Sequence, residues 1–134
     1  MLKKTITYTD YNGNKRTEDF YFNLSKAELM EMEMSTSGGL TALVRRIINT
    51  QDTSEMMKVF KEIILKSYGE KSDDGKRFIK SKELAEAFSQ TDAYSELFME
   101  LLSETDAVSG FIKGIVPNDV ASQIDEKSLA SINA

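Results

Sequence analysis

The chain has 134 residues, 40% hydrophobic and 29% charged, with a formal net charge of −5 and neither histidine nor cysteine. That size and balance fit one soluble globular domain able to bury a core without staples. They exclude disulfides, thiolate metal sites and a histidine proton shuttle, and no apolar run approaches the roughly 18 residues of a membrane span. The opening MLKKTITYTD has two lysines with no apolar stretch behind them, so it does not read as a signal peptide. An acidic chain binds nucleic acid only through a locally basic face, because phosphate neutralisation supplies most of the non-specific affinity. The densest basic stretch, GKRFIKSK at 75–82, follows two aspartates and reads as a solvated face. Neither a nucleic-acid nor a membrane partner is expected.

The first elements are strands. Residues 5–9, TITYT, and 17–22, TEDFYF, carry β-branched and aromatic residues on either side of Asn12-Gly13. That dipeptide is the strongest short hairpin signal, and a type I′ turn there needs positive φ at both central positions. Ile6 and Tyr8 are expected on one face, with Phe20 and Phe22 sharing a face likewise. An isolated hairpin is marginal in water, so this one must pack on helices, on a further strand or on a partner.

Helices follow. Ser25 and Glu28 form the S-x-x-E capping box, with Leu24 placed to staple against Leu29. The first helix runs through KAELMEMEM and ends before Ser35, and Gly38-Gly39 breaks the chain. The second covers 40–48, with Leu40, Leu43, Val44, Ile47 and Ile48 at helical spacing. Asp52 with Glu55 marks a third start; Met56, Val59, Phe60, Ile63 and Ile64 form its stripe, and Gly69 reads as its C′ stop. Residues 70–77 read as a polar loop, in which SDDG is a turn. FIKSKELAEAF follows with Ser81 as cap, then a helix from Thr91 or Asp92 striped by Tyr94, Leu97, Phe98, Leu101 and Leu102. The last helix spans 104–116 with Val108, Phe111, Ile112, Ile115 and Val116 in register, and Pro117 stops it. The expected class is α+β, mainly α: an N-terminal β-hairpin followed by five or six amphipathic helices. The expected organisation is one globular domain at 1–117 and a flexible tail at 118–134.

Sites of chemistry are scarce. Asp10, Asn12 and Asn14 occupy calcium-loop positions 1, 3 and 5, but Lys15 and Tyr21 stand where an EF-hand needs glycine and a bidentate glutamate. Asp73-Asp74, Glu18-Asp19, Glu31 and Glu33 lie in loops or on wet faces, not in a pocket that would separate their pKa values. Ser81-Lys82 is a Ser–Lys pair, but adjacency in a helix cap turns the two side chains apart. No catalytic, cofactor or metal residue is assigned, and the chain is not expected to be an enzyme. The methionines at 30, 32, 34, 56, 57 and 99 suit core filling, while Met32, between two glutamates, hints at a contact face.

One stretch carries more. FIKSKELAEAFSQTDAYSELFMELLSETDAVSGFIKGIVP, 78–117, resembles the C-terminal block of tail assembly chaperones from siphophages and prophages of Gram-positive bacteria. The resemblance rests on Phe78-Ile79-Lys80-Ser81, Phe88-Ser89-Gln90-Thr91, Ala93-Tyr94, Leu97-Phe98, Glu100-Leu101-Leu102 and, above all, Phe111-Ile112-x-Gly114-Ile115-Val116-Pro117. YTDYNGNKRTEDFYFNLSKAEL is similar to the family's opening hairpin and first helix, so the likeness covers 1–117. These are packing residues, turns and caps, with no catalytic motif among them.

The resemblance implies a role in place of a reaction. Such proteins bind the tape measure protein, keep it soluble, help recruit major tail protein and are missing from the finished tail. Many have a longer form made by a −1 ribosomal frameshift, and this chain resembles the shorter one. It implies action in the host cytoplasm without cofactor. A tape measure protein is a long helical chain with apolar stripes, which suits helix-in-groove recognition. The stripes at 40–48, 94–102 and 108–116 would either wall such grooves or be buried within the monomer, and burial of most of each is the favoured reading. The hairpin's strand edges would pair subunit to subunit and give a homo-oligomer. The alternatives are a head–tail or tail-completion protein retained in the virion and a small DNA-binding regulator. Acidic charge and a lone Arg45-Arg46 pair stand against the last.

Overall fold

The structure, a computed structural model, describes residues 1–34, 39–49 and 52–117. The expected tail after Pro117, Gly38 of the expected break and the side chain of Ile48 lie outside the described residues. Ten elements run in the order β1 (Leu2–Thr9), β2 (Lys15–Phe22), α1 (Lys26–Glu33), α2 (Leu40–Asn49), α3 (Thr53–Ser67), β3 (Tyr68–Lys71), β4 (Phe78–Ile79), α4 (Lys82–Ser89), α5 (Asp92–Ser103) and α6 (Thr105–Ile115). The class is α+β and mainly helical, with the expected N-terminal hairpin followed by six helices.

The hairpin forms, but its turn is not type I′. Thr9 pairs with Lys15, leaving a five-residue loop in which Gly13 alone has positive φ, at 85°. Gly13 N–H donates to Asp10 C=O at 3.0 Å, and the Asp10 carboxylate accepts from the N–H of Asn12 and of Asn14, both at 2.9 Å. An Asp side chain that satisfies two loop N–H groups holds the turn open without a second left-handed residue. Both strands extend beyond the patterned cores, from Leu2 and from Lys15. Leu2, Lys4, Ile6 and Tyr8 share the inner face with Phe20 and Phe22, since the register pairs Leu2 with Phe22 and Lys4 with Phe20.

Residues 70–77 are not merely a loop. β3 and β4 pair antiparallel and join the hairpin in a four-stranded sheet of order β1-β2-β3-β4, and only 72–77 remain as the connecting turn. Phe78 and Ile79 are therefore strand, and α4 begins at Lys82. Gly69 is correspondingly not a left-handed helix stop. α3 passes directly into β3, where Gly69 pairs with Tyr21. A Cβ at Gly69 would lie 2.7 Å from both the Ile79 carbonyl oxygen and the Phe78 ring. Glycine is needed there for close approach of strand and ring.

The other helix starts match local signals. Ser25 and Glu28 form both halves of the capping box, and Asp52, Ser81 and Thr91 each accept a first-turn N–H. The helices cover the inner face of the sheet. A cluster of aromatic rings joins the layers: Phe88 packs on Phe20 and Phe22 of β2, stacks on Tyr68 at 4.3 Å and 7°, and meets Tyr94 of α5 edge-on. Phe22, fully buried, also meets Phe111 of α6. Gly114 lets α6 press against β1, for a Cβ there would lie 2.8 Å from the Leu2 side chain.

Gly69→Ala is expected to overpack this contact and cost about 1–3 kcal/mol, read as a lower urea midpoint at unchanged slope. An unchanged midpoint would mean that β3 and Phe78 do not approach as described.

Candidate interaction surface

Asp10, Glu18, Asp74 and Ser81 are tied into local structure. The Asp10 carboxylate, besides holding the turn, accepts from Arg16 Nε at 2.6 Å, and that bond holds its carboxyl below the usual range. Glu18 accepts from the Tyr8 hydroxyl, a bond that raises the phenol pKa. Asp74 accepts from Ser72 and from Lys76 N–H inside the SDDG turn. Ser81 Oγ caps the N–H of Leu84 at 3.0 Å, so it is engaged as a cap beside Lys82. Among the described residues no three acidic side chains gather to hold a metal ion, and no helix is long and apolar enough to cross a membrane.

The basic stretch 75–82 is solvated at Lys76, Arg77 and Lys82, but not at Lys80. Lys80 Nζ donates to Asn23 C=O at 2.5 Å, to Lys66 C=O at 3.0 Å and to the Glu28 carboxylate at 2.6 Å. The reason is long-range: these partners lie 57, 14 and 52 residues away, where no local pattern reveals them. Burial pushes the Glu28 carboxyl up, but Lys80 and the Ser25 N–H and hydroxyl outweigh it and leave its pKa lowered.

The apolar stripes are largely internal. Leu40, Leu43, Val44 and Ile47 of α2, Leu97 and Leu101 of α5, and Val108, Phe111, Ile112 and Ile115 of α6 are all buried. They form one cluster with the sheet and do not wall an open groove. Met32 also differs from expectation. It is buried and lines a small cleft with Leu24, Glu28, Glu31 and Lys66. The i, i+3 pair Leu29 and Met32 was the available signal, masked by glutamates on both sides of Met32.

What faces water instead is a set of methionines. Met30 and Met34, one turn apart along α1 and its C-cap, are 65% and 82% exposed, and Met57 of α3 and Met99 of α5 are 41% and 56% exposed. Glu31 and Glu33 flank the α1 pair, and Glu100 adjoins Met99. Each is an unbranched, adaptable apolar group of the kind over-used where a surface accepts partners of varied shape, and the α1 pair sits among glutamates.

A family model described as phage tail assembly chaperone matches residues 1–133. The chain belongs to that family. No curated protein and no solved structure matches it.

Lys80→Met is expected to cost about 1–3 kcal/mol at neutral pH, the range for hydrogen bonds from a charged donor. Because folding lowers the Glu28 pKa, the Glu28 contribution is fully present above the usual 4.5 and drains away as pH falls below it. The gap between parent and variant in urea titrations should therefore narrow below that pH. A gap independent of pH would remove Glu28 from the junction.

Proposed function

We propose that this tail assembly chaperone binds the tape measure protein by reversible, non-catalytic contact, keeps it soluble, and helps recruit major tail protein subunits around it. It acts in the host cytoplasm, without a cofactor, and leaves before the tail is complete. Family membership supports the tail-assembly role. The observation that carries the client reading is the exposed methionine pair Met30 and Met34 on an acidic helix, while most of the other apolar side chains of the helices are spent on the core.

A long helical client exposes apolar stripes at i, i+3 and i+4 until its own partners cover them. Methionines bind such stripes without demanding one shape, because their three rotatable bonds let the thioether fill irregular gaps. Glu31 and Glu33 keep the unoccupied face soluble and favour client helices with basic flanks. Burial of one such side chain gives about 1.5–3 kcal/mol, enough for a few anchors to hold a client and weak enough to release it.

The test is co-expression of the tagged chain with the tape measure protein. The parent should bring the client into the soluble fraction and co-purify with it. Met30→Lys with Met34→Lys should reduce the co-purified client about tenfold or more, with an unchanged melting curve because both side chains are exposed. An insoluble, unbound client beside well-folded parent chain would contradict the proposal. Undiminished capture by the double variant would move the contact off α1.

A further inference from the structure

β1 is an edge strand of the sheet, with a full row of backbone groups left open on its outer side. Asp10 N–H donates to Asn14 C=O at 2.9 Å, which sets the alternation of the ladder. The even residues Leu2, Lys4, Ile6 and Tyr8 therefore exchange backbone bonds with β2. The odd positions are the close pairs without backbone bonds, as the side-chain bonds of Thr5 to Asp19 and Thr7 to Thr17 attest. It follows that the N–H and C=O groups of Lys3, Thr5, Thr7 and Thr9 point away from β2. Among the described residues these groups have no backbone partner. The same four residues are exposed.

Natural edge strands are guarded by short length, proline, a bulge or an inward-facing charge. β1 has eight residues and no proline, and its register with β2 is unbroken from Leu2 to Thr9. Its inward lysine, Lys4, is neutralised at 3.0 Å by Glu100 of α5. Lys3 is the one outward charge, and it stands at one end.

We infer that β1 pairs antiparallel with β1 of a second copy of this chain, across a two-fold axis at Ile6, joining two four-stranded sheets into one of eight strands. A second copy fits this edge in a register about Ile6 that uses every outward backbone group and sets no like charges opposite each other. Pairing on that axis sets Lys3 opposite Thr9 of the second copy and Thr5 opposite Thr7 of the second copy. All four outward donors and all four outward acceptors of each strand are then used. No like charges face each other, whereas a register slid toward the N-terminus brings Lys3 against its own copy. β-branched threonines directly opposite one another are favourable cross-strand neighbours.

The helices leave room for it. Beside this edge lies an open cleft of about 230 Å³ between β1 and α5, bordered by Thr5, Thr7, Glu96 and Glu100. On that face the added strand projects Lys4, Ile6 and Tyr8 of the second copy. Ile6 then meets its own copy at the axis, and a second lysine comes toward the Glu96 carboxylate. The other sheet edges are less suited. β3 already covers the end of β2, and β4 has two residues. A single strand pair is a small interface, so the dimer is a micromolar one that responds to concentration. This inference does not rest on the client reading.

The experiment is light scattering across a concentration series, combined with amide hydrogen exchange of the full chain. The mass should rise from 15.1 kDa toward twice that value. The N–H groups of Lys3, Thr5, Thr7 and Thr9 should exchange rapidly when dilute and at least tenfold more slowly when concentrated. Thr7→Pro deletes one outward donor while leaving the β1–β2 bonds intact, and should weaken association at least tenfold. Should that variant fold poorly, Thr5→Lys with Thr7→Lys places lysines opposite each other twice over, and should weaken association in a way that salt partly restores. A monomer at every concentration overturns the inference. So does a dimer in which these four amides stay unprotected. Protection that arises in a monomer only on adding a co-expressed tail protein also overturns it, and assigns the edge to an extended segment of that protein.

Discussion

The fold depends on one ammonium group. Lys80 Nζ reaches the chain as it leaves β2, the last turn of α3 and the first turn of α1 at once. Each of those places would otherwise present a polar group without a helix or strand partner. The Lys66 carbonyl belongs to the terminal turn that a helix cannot satisfy internally, and a lysine is a favourable donor there. Glu28, its anionic partner, is the same side chain that closes the capping box on Ser25 N–H at 2.9 Å. One carboxylate therefore starts α1 and anchors Lys80, the residue before the Ser81 cap of α4. Two further backbone bonds converge nearby, from Asn23 N–H to Ser67 C=O and from Leu24 N–H to Ile115 C=O. The sheet, α1, α3 and α6 are thus registered against each other by polar bonds as well as by packing.

Around that junction the core is strongly apolar and rich in rings. Phe88 touches both layers, so α4, only eight residues long, is held by its contacts more than by its own propensity. The consequence for function is one of allocation. The stripes of α2, α5 and α6 have little free side to offer a client, because most of their described apolar residues are buried and Tyr94, Phe98 and Leu102 of α5 are half-buried against the core. On the reading proposed here for the client and for the second copy, recognition falls to groups that remain outside, the methionines of α1, α3 and α5 and the edge of β1. Both are features that stability alone does not require.

Much of this was legible in the sequence, for a physical reason. Caps and turns are local devices, so Ser25 with Glu28, Asp52, Ser81, Thr91 and Pro117 announced the helix bounds within a residue or so. Long stripes showed their period directly. What stayed hidden was non-local. β3 and β4, four and two residues long, are too short to display a two-residue alternation, and they exist because Gly69 and Tyr68 find the edge of β2. Gly69 looked like a helix stop because a glycine after a stripe usually is one, whereas here it answers to Phe78 across a strand pair. Lys80 looked solvated because its neighbours in sequence are. The hairpin was evident from Asn12-Gly13, yet its turn type was set by the Asp10 side chain two residues earlier. The exposed methionines were visible as a composition, but which of them faced water was not.

The most direct test of this allocation is a methyl NMR titration with a helical fragment of the tape measure protein. The chain would carry labelled methionine, isoleucine, leucine and valine methyl groups. The account predicts that Met30 and Met34 shift or broaden first, with Met57 and Met99 as the other exposed candidates, while the methyls of Val44, Leu97 and Ile112 hold their positions. Large shifts at those core methyls with a silent methionine set would mean that the bundle opens to admit the client between its helices, and the division between core and contact surface drawn here would be wrong.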